Sequence, residues 1–223
     1  MAVVCIGVNY MDALNKLIWV YDSPFSRSIK WLLLHNDVPH EDHVLTWDEM
    51  ATDPLLADNL KKQVPTIWNK GSMKTDSLLI ALEYLPASWY QSVDAKLFRL
   101  ADSDVEAAII FLFRANLLKD KFGESENSRL MLKAGIDTYK QAVDYLLDHL
   151  VTKGVAVACN YGAVLLLSTL LAAISLAPGE LRGYRNAELK PFAACVEADD
   201  MYRTMVRACQ GQASNHVPFE YGA

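Results

Sequence analysis

Hydrophobic positions follow two regimes along the 223 residues. Up to residue 86 they come in short apolar runs broken by turns; beyond it they recur at helical spacing over long stretches. LIWVY, Leu17–Tyr21, is a β-branched and aromatic run closed by Asp22-Ser23-Pro24, which predicts a buried strand and a turn. SRSIKWLLLHNDV then sets Ile29, Leu32, Leu33 and the aliphatic stem of Lys30 at helical spacing, with Asn36-Asp37 before Pro39 as the stop. A second strand is expected near His43–Leu45, followed by a polar helical stretch from Glu49 to Leu60 and a third strand at Val64–Trp68. Asn69-Lys70-Gly71 turns the chain into a returning strand through Met73 and Lys74, and Thr75-Asp76-Ser77 supplies capping residues for the helix LLIALEYL. The predicted order is βαβαββα.

Past Pro86-Ala87-Ser88 the strand signals stop. Helices are predicted over Asp94–Lys121, Asn127–Val151, Tyr161–Leu176 and Lys190–Cys209, with turns at Gly123-Glu124-Ser125, Lys153-Gly154 and Pro178-Gly179. The resulting division is an N-terminal tail over 1–15, an α/β domain over 16–86, a linker over 87–93 and an all-α helical bundle over 94–223. Met11 begins MDALNKLIWVY, so residues 1–10 read either as an extension ahead of a start there or as a mobile tail. Between Lys153 and Glu180 no charge interrupts the chain, and a membrane span needs about 20 apolar residues. Asn160, Tyr161, Gly162, Ser168 and Thr169 dilute that run, Asn160 reads as an N-cap and Pro178-Gly179 closes it, so a buried core helix is the better reading.

Composition narrows the function classes. A formal charge of −6 and a pI near 5.3 leave no basic footprint for nucleic acid. Cys5, Cys159, Cys195 and Cys209 show no C-x-x-C spacing and the N-terminus has no signal-peptide layout, so reduced thiols in the cytoplasm are expected. His35, His40, His43, His149 and His216 form no metal-binding pattern, and no metal is expected.

Three motifs, in order and at workable spacing, resemble the cytosolic glutathione S-transferase superfamily, and its serine-type, bacterial-like members in particular, with no narrower class indicated. SPFSRSIKWLLLHNDVPHE, Ser23–Glu41, resembles the family's segment from catalytic turn through first helix. Gln63-Val64-Pro65-Thr66-Ile67 is similar to its V-P-x-L motif, whose proline follows a cis bond. Thr75-Asp76-Ser77 resembles its Glu/Asp-Ser pair at the family's spacing, and GYRNAELKPFAACVEADDMYRTMVRA resembles its last turn and helix. One departure is the buried helix, where Asn160-Tyr161-Gly162-Ala163 lacks the aspartate of the family's Ser/Thr-x-x-Asp capping box.

The resemblance implies a thioredoxin-like N-terminal domain and a helical C-terminal domain holding glutathione as co-substrate and a small apolar electrophile between them. It also implies a homodimer without metal or membrane and a place in detoxification. Ser23 matches the position that stabilises the thiolate, with Ser26 and Tyr21 as alternatives. Glutathione would be held by Phe25, Gln63, Val64 and Pro65, with Ser77 and the N–H groups of its helix receiving the γ-glutamyl carboxylate and Asp76 pairing with the ammonium. Phe111, Phe113 and Arg114 are expected to border the electrophile, near Leu117, and Arg99 to face the cleft or solvent. No cysteine lies in 21–28, which disfavours reduction of mixed disulfides. The alternative is a noncatalytic binding or regulatory protein on the same fold.

Overall fold

The computed structural model describes residues 15–69, 71–151, 158–209, 217–218 and 220–222. The N-terminal tail up to residue 14, with Met11 and Cys5, lies outside the described residues, as do Lys70, the Lys153-Gly154 turn and His216.

β1 (Asn15–Trp19) is an inner strand, parallel to β2 (His40–Val44) on one side and antiparallel to β3 (Thr66–Asn69) on the other; β4 (Ser72–Thr75) closes the edge, giving the order β2-β1-β3-β4. Alternation along this strand explains why LIWVY is apolar throughout. Leu17 and Trp19 join the main core with α1 (Pro24–His35), whereas Ile18 and Val20 meet Leu45 and Leu56 on the opposite face. Both expected strand boundaries shift: β1 starts and ends two residues before LIWVY does, and β2 begins at His40. Val64–Pro65 is cis, as the resemblance implies.

The polar helix expected over 49–60 is absent as such; its place is taken by two single 3₁₀ turns, Glu49–Ala51 and Pro54–Leu56. Pro54 cannot continue a helix begun at Glu49, and Asp53 restarts the chain by accepting from the Leu55 N–H at 2.8 Å. α2 (Ser77–Ala81) is a short helix, continued by turns to Leu85.

The second half is helical. α3 (Val93–Arg99) runs through a π-helical turn, Leu100–Val105, into α4 (Glu106–Phe122); α5 (Glu126–Tyr145) ends in a second such turn, Leu146–Val151. Every residue of α6 (Tyr161–Leu176) from Tyr161 to Ile174 is buried, so this apolar segment is the central strut of the protein. No described helix is long and apolar enough to cross a membrane. After the short α7 (Pro178–Leu181), the single helix expected over 190–209 is two: α8 (Asn186–Glu197) and α9 (Asp200–Cys209). Asp199 makes the break by capping the new helix at the Tyr202 N–H, 2.8 Å away, and the same carboxylate accepts from Trp31 Nε1 at 2.8 Å. α1 packs on α6 and α9, and one core runs from Leu17 and Trp19 through Ile29 and Trp31 to Phe98, Tyr161 and Leu165.

Candidate functional site

The ladders of the sheet bring three separate motifs to one end of it. β1 and β3 pair at Ile18↔Thr66, and β3 and β4 at Thr66↔Thr75. Beyond these pairs the chain runs into Val20 and the Ser23 turn after β1, Val64–Pro65 before β3 and Asp76–Ser77 after β4, all at the same end of the sheet. At roughly 4.8 Å per strand, the row from β1 to β4 is about 10 Å wide. An extended tripeptide, at about 3.3 Å per residue, spans the same distance.

Ser23 is the N-cap of α1, in extended backbone, and its Oγ accepts from the Ser26 N–H at 3.2 Å. That bond uses a lone pair and leaves the hydroxyl proton free to be donated elsewhere. α1 carries no acidic residue in its first turn, so the positive end of its dipole at Ser23 has no counter-charge within the helix itself. Ser26 Oγ is fully buried and without a partner. Tyr21 packs edge-on against Trp19 with ring centroids 4.7 Å apart, and burial, followed by Cys209 and Asp42, pushes its phenol up to about 12. It behaves as a core aromatic whose hydroxyl stays protonated at neutral pH. Phe25 is half-buried against the core.

Gln63 is fixed through its carbonyl, which accepts from Asn59 Nδ2 and Thr66 Oγ1, each at 2.9 Å. Val64 packs on the small cluster under the sheet, outside the strand ladder that starts at Thr66. Asp76 has φ 78°, an unfavourable conformation for a residue with a side chain, and such strain gathers at functional sites. Its Oδ1 accepts from the Leu78 and Leu79 N–H groups at 2.9 and 3.2 Å. Those helix-start donors are therefore occupied, which corrects the expectation that they would receive a ligand carboxylate; what Ser77 itself carries is left for that role. Asp102 and Glu106, across on the helical domain, have carboxyls raised first by burial; Arg99 opposes the rise at Asp102, Asp102 adds to it at Glu106, and Asp76 adds to it at both. The neighbourhood favours a cation.

Two contacts that sequence reasoning missed tie this row to the second domain. The Tyr161 hydroxyl, fully buried at the start of α6, donates to the Ser77 carbonyl at 3.3 Å. Asp94 supplies from α3 what the missing capping-box aspartate would have brought: it accepts from the Gly162 N–H through Oδ1 and from Trp89 Nε1 through Oδ2 at 2.8 Å, beside the Asn160 side chain, which caps the Ala163 N–H at 2.9 Å. Gly162 was the available signal, because only a residue without Cβ lets Asp94 approach.

The residues expected around the electrophile are not brought together. Phe111, Phe113 and Arg114 are all exposed on α4, and Phe111 and Phe113, two positions apart, point to nearly opposite sides, about 200° along the helix. Arg99 pairs with Asp102 at 3.2 Å and lines a cavity of about 640 Å³ with Leu78, Trp89, Phe98 and Tyr145. Among the described residues no group of three or more His, Cys, Asp or Glu is placed to hold a metal ion.

Comparison with known proteins bears on the fold. Residues 22–86 match the family model described as glutathione S-transferase, N-terminal domain. No curated protein matches the chain. Among solved structures, a glutathione transferase family member from Pseudomonas fluorescens Pf-5 with bound glutathione is similar at TM-score 0.66 and 16% identity, over 86% of this chain and 98% of that one. A glutathione S-transferase from Rhodospirillum rubrum F11 gives 0.64 and 19%, over 93% and 98%, and one from the Antarctic clam Laternula elliptica gives 0.64 and 14%, over 86% and 92%. The fold is that of a thioredoxin-like domain joined to a helical domain, as in those structures, and residues 22–86 are the part that matches the glutathione S-transferase N-terminal domain.

Proposed function

We propose that this chain is a glutathione transferase that lays glutathione across the ends of β1, β3 and β4 and activates its thiol for attack on a small apolar electrophile. The observation that supports the reading is that the ladder ending at Ile18↔Thr66 and Thr66↔Thr75 leaves the segments of Ser23, Val64–Pro65 and Asp76–Ser77 at one end of a sheet about as wide there as the tripeptide is long. In this reading the cysteinyl backbone meets Val64, between the two ends. The γ-glutamyl carboxylate meets the Ser77 hydroxyl, and its ammonium enters the field of Asp76, Asp102 and Glu106. Ser23 donates its hydroxyl proton to the sulfur, the dipole of α1 favours the anion, and the thiol proton leaves to solvent. The thiolate then displaces a leaving group from the electrophile, forming a carbon–sulfur bond.

On α4, Phe113 falls in a stripe with Ile110 and Leu117, away from Phe111 and Arg114. That exposed stripe, with Leu130 on α5, supports burial against a second copy of the chain. Cys159 and Cys209, which form no disulfide, fit a reducing, cytoplasmic setting.

Turnover of glutathione with an aryl halide, for wild type beside Ser23→Ala, tests the chemistry. The expected outcome is conjugate formation by wild type, reduced about a hundredfold in the variant, as when one oxyanion donor is removed. Glutathione binding with no turnover of any electrophile would turn the reading towards a noncatalytic binding protein.

A further inference from the structure

Arg27 is buried without exposed surface in α1, and its guanidinium spends its donors on main-chain carbonyls from two distant parts of the chain. Nε donates to the Tyr21 carbonyl at 2.5 Å, while Nη1 and Nη2 donate to the carbonyls of Pro218 and Val217 at 2.8 and 2.7 Å. Asp22, almost as buried, lies 4.0 Å from Nη2 and accepts from the Val217 N–H at 3.4 Å. Further along, the Tyr221 N–H donates to Glu197 Oε1, 2.6 Å away at the end of α8. Val217, Pro218 and Tyr221 thus tie to both domains, and the inner tie is made to the turn that bears Ser23.

That turn, buried at Tyr21, Asp22 and Ser23, is also held by main-chain bonds. Ser23 N–H bonds the Val20 carbonyl at 3.1 Å and the Arg27 N–H bonds the Ser23 carbonyl at 3.0 Å. The Tyr21 carbonyl and the Asp22 carboxylate are both engaged through the Arg27–tail contact. The bond from the Ser26 N–H aims the Ser23 hydroxyl, and it works only if the turn stays put relative to α1. A planar, forked guanidinium can satisfy three carbonyls at fixed angles; a lysine ammonium in its place cannot.

We propose that Arg27 and residues 217–218 form a clasp that positions the Ser23 turn, making the C-terminal segment a working part of the thiol-activating site. Arg27 acts as a positioning residue here, and the inference rests on the glutathione reading above. Releasing the clasp leaves the outer parts of the tripeptide site intact, since Val64 and Asp76–Ser77 belong to β3, β4 and α2. Loss should therefore appear in the ionisation of the bound thiol and in turnover more than in glutathione affinity.

The test compares wild type, Arg27→Lys and a chain ending at His216, measuring glutathione affinity by calorimetry, the pH titration of the bound thiolate by ultraviolet difference absorbance, and kcat against KM for glutathione. The expected result is an apparent thiol pKa raised by about one unit in both variants and kcat at neutral pH lowered about tenfold, with KM changed less than about threefold. If Arg27→Lys does not fold, the shortened chain carries the test alone. Wild type that binds glutathione beside variants with an unchanged thiol titration, even if thermally less stable, overturns the clasp and leaves the glutathione reading standing. Wild type that does not bind glutathione removes that reading and the clasp's role with it.

Discussion

Replacing Gly162 by alanine should be among the most damaging single-methyl additions in the protein. A Cβ there would stand 2.1 Å from the Asp94 carbonyl oxygen, 2.6 Å from its Oδ1 and 2.7 Å from the Phe98 backbone nitrogen. Two of those three atoms are backbone, so no side-chain rotation relieves the overlap. α6 is buried along its length against α1, α3 and α4, and it can move away from α3 only by disturbing those interfaces. Overpacking of this kind costs about 1–3 kcal/mol. Loss of the Gly162 N–H bond to the Asp94 carboxylate adds about 1.5–3 kcal/mol. The gain in helix propensity from glycine to alanine offsets about 1 kcal/mol. The net expectation is a loss of about 1.5–5 kcal/mol, or roughly 5–15 °C in thermal midpoint for a chain of this size. Thermal and urea unfolding followed by circular dichroism measures it, with Gly179→Ala, whose Cβ would meet nothing within 4 Å, as the control. A Gly162→Ala midpoint at or above that of wild type would refute the close approach of α3 to α6.

Asp94→Ala should destabilise by about 2–4 kcal/mol, because it strands the Gly162 N–H and the Trp89 indole N–H together, while Asp94→Asn keeps one acceptor and should cost about half as much. His40 is held as a neutral ring between the Val38 carbonyl, 2.7 Å from Nδ1, and Lys30 Nζ, 2.7 Å from Nε2; burial first, with Lys30 adding to it, lowers its pKa below the usual imidazole value. The unfolded chain therefore binds the proton more readily, so stability is full above about pH 6.5 and falls as pH drops through the lowered value, by about 1.4 kcal/mol per unit of depression. Urea unfolding at successive pH values should show this slope in wild type and lose it in His40→Asn. Tyr161→Phe removes the hydroxyl bonded to the Ser77 carbonyl and should weaken glutathione affinity about threefold to tenfold. Phe113→Ser, which interrupts the exposed stripe on α4, should shift a dimer to monomer in sedimentation.

The alternation and the turn residues made the strands, the first helix and the long helices readable, because each shows its own local period and its own stop residues. LIWVY is apolar on both faces because its sheet is covered on both, and Asn160 caps its helix as its side chain predicts. The candidate site was readable as three motifs, since the spacing from Val64–Pro65 to Asp76–Ser77 is the length of one hairpin. What stayed hidden depends on partners far along the chain. Asp94 reaches a helix start 68 residues away, and Arg27 reaches carbonyls 190 and 191 residues on. Periodicity also assigns a face without saying what covers it, so Phe111 and Phe113 read as one pocket although two helical positions separate them by about 200°. The missing helix at 49–60 is a local misreading, because Pro54 was visible and outweighs the polar spacing around it.

The central claim is that glutathione lies across the strand ends with its γ-glutamyl group at Asp76–Ser77. Calorimetric titration of glutathione into wild type and Ser77→Ala tests it most directly. Saturable binding by wild type, weakened about tenfold or more by loss of the Ser77 hydroxyl from a charged partner, is the predicted result. Absence of binding heat in wild type, or equal affinity in the two proteins, would contradict it.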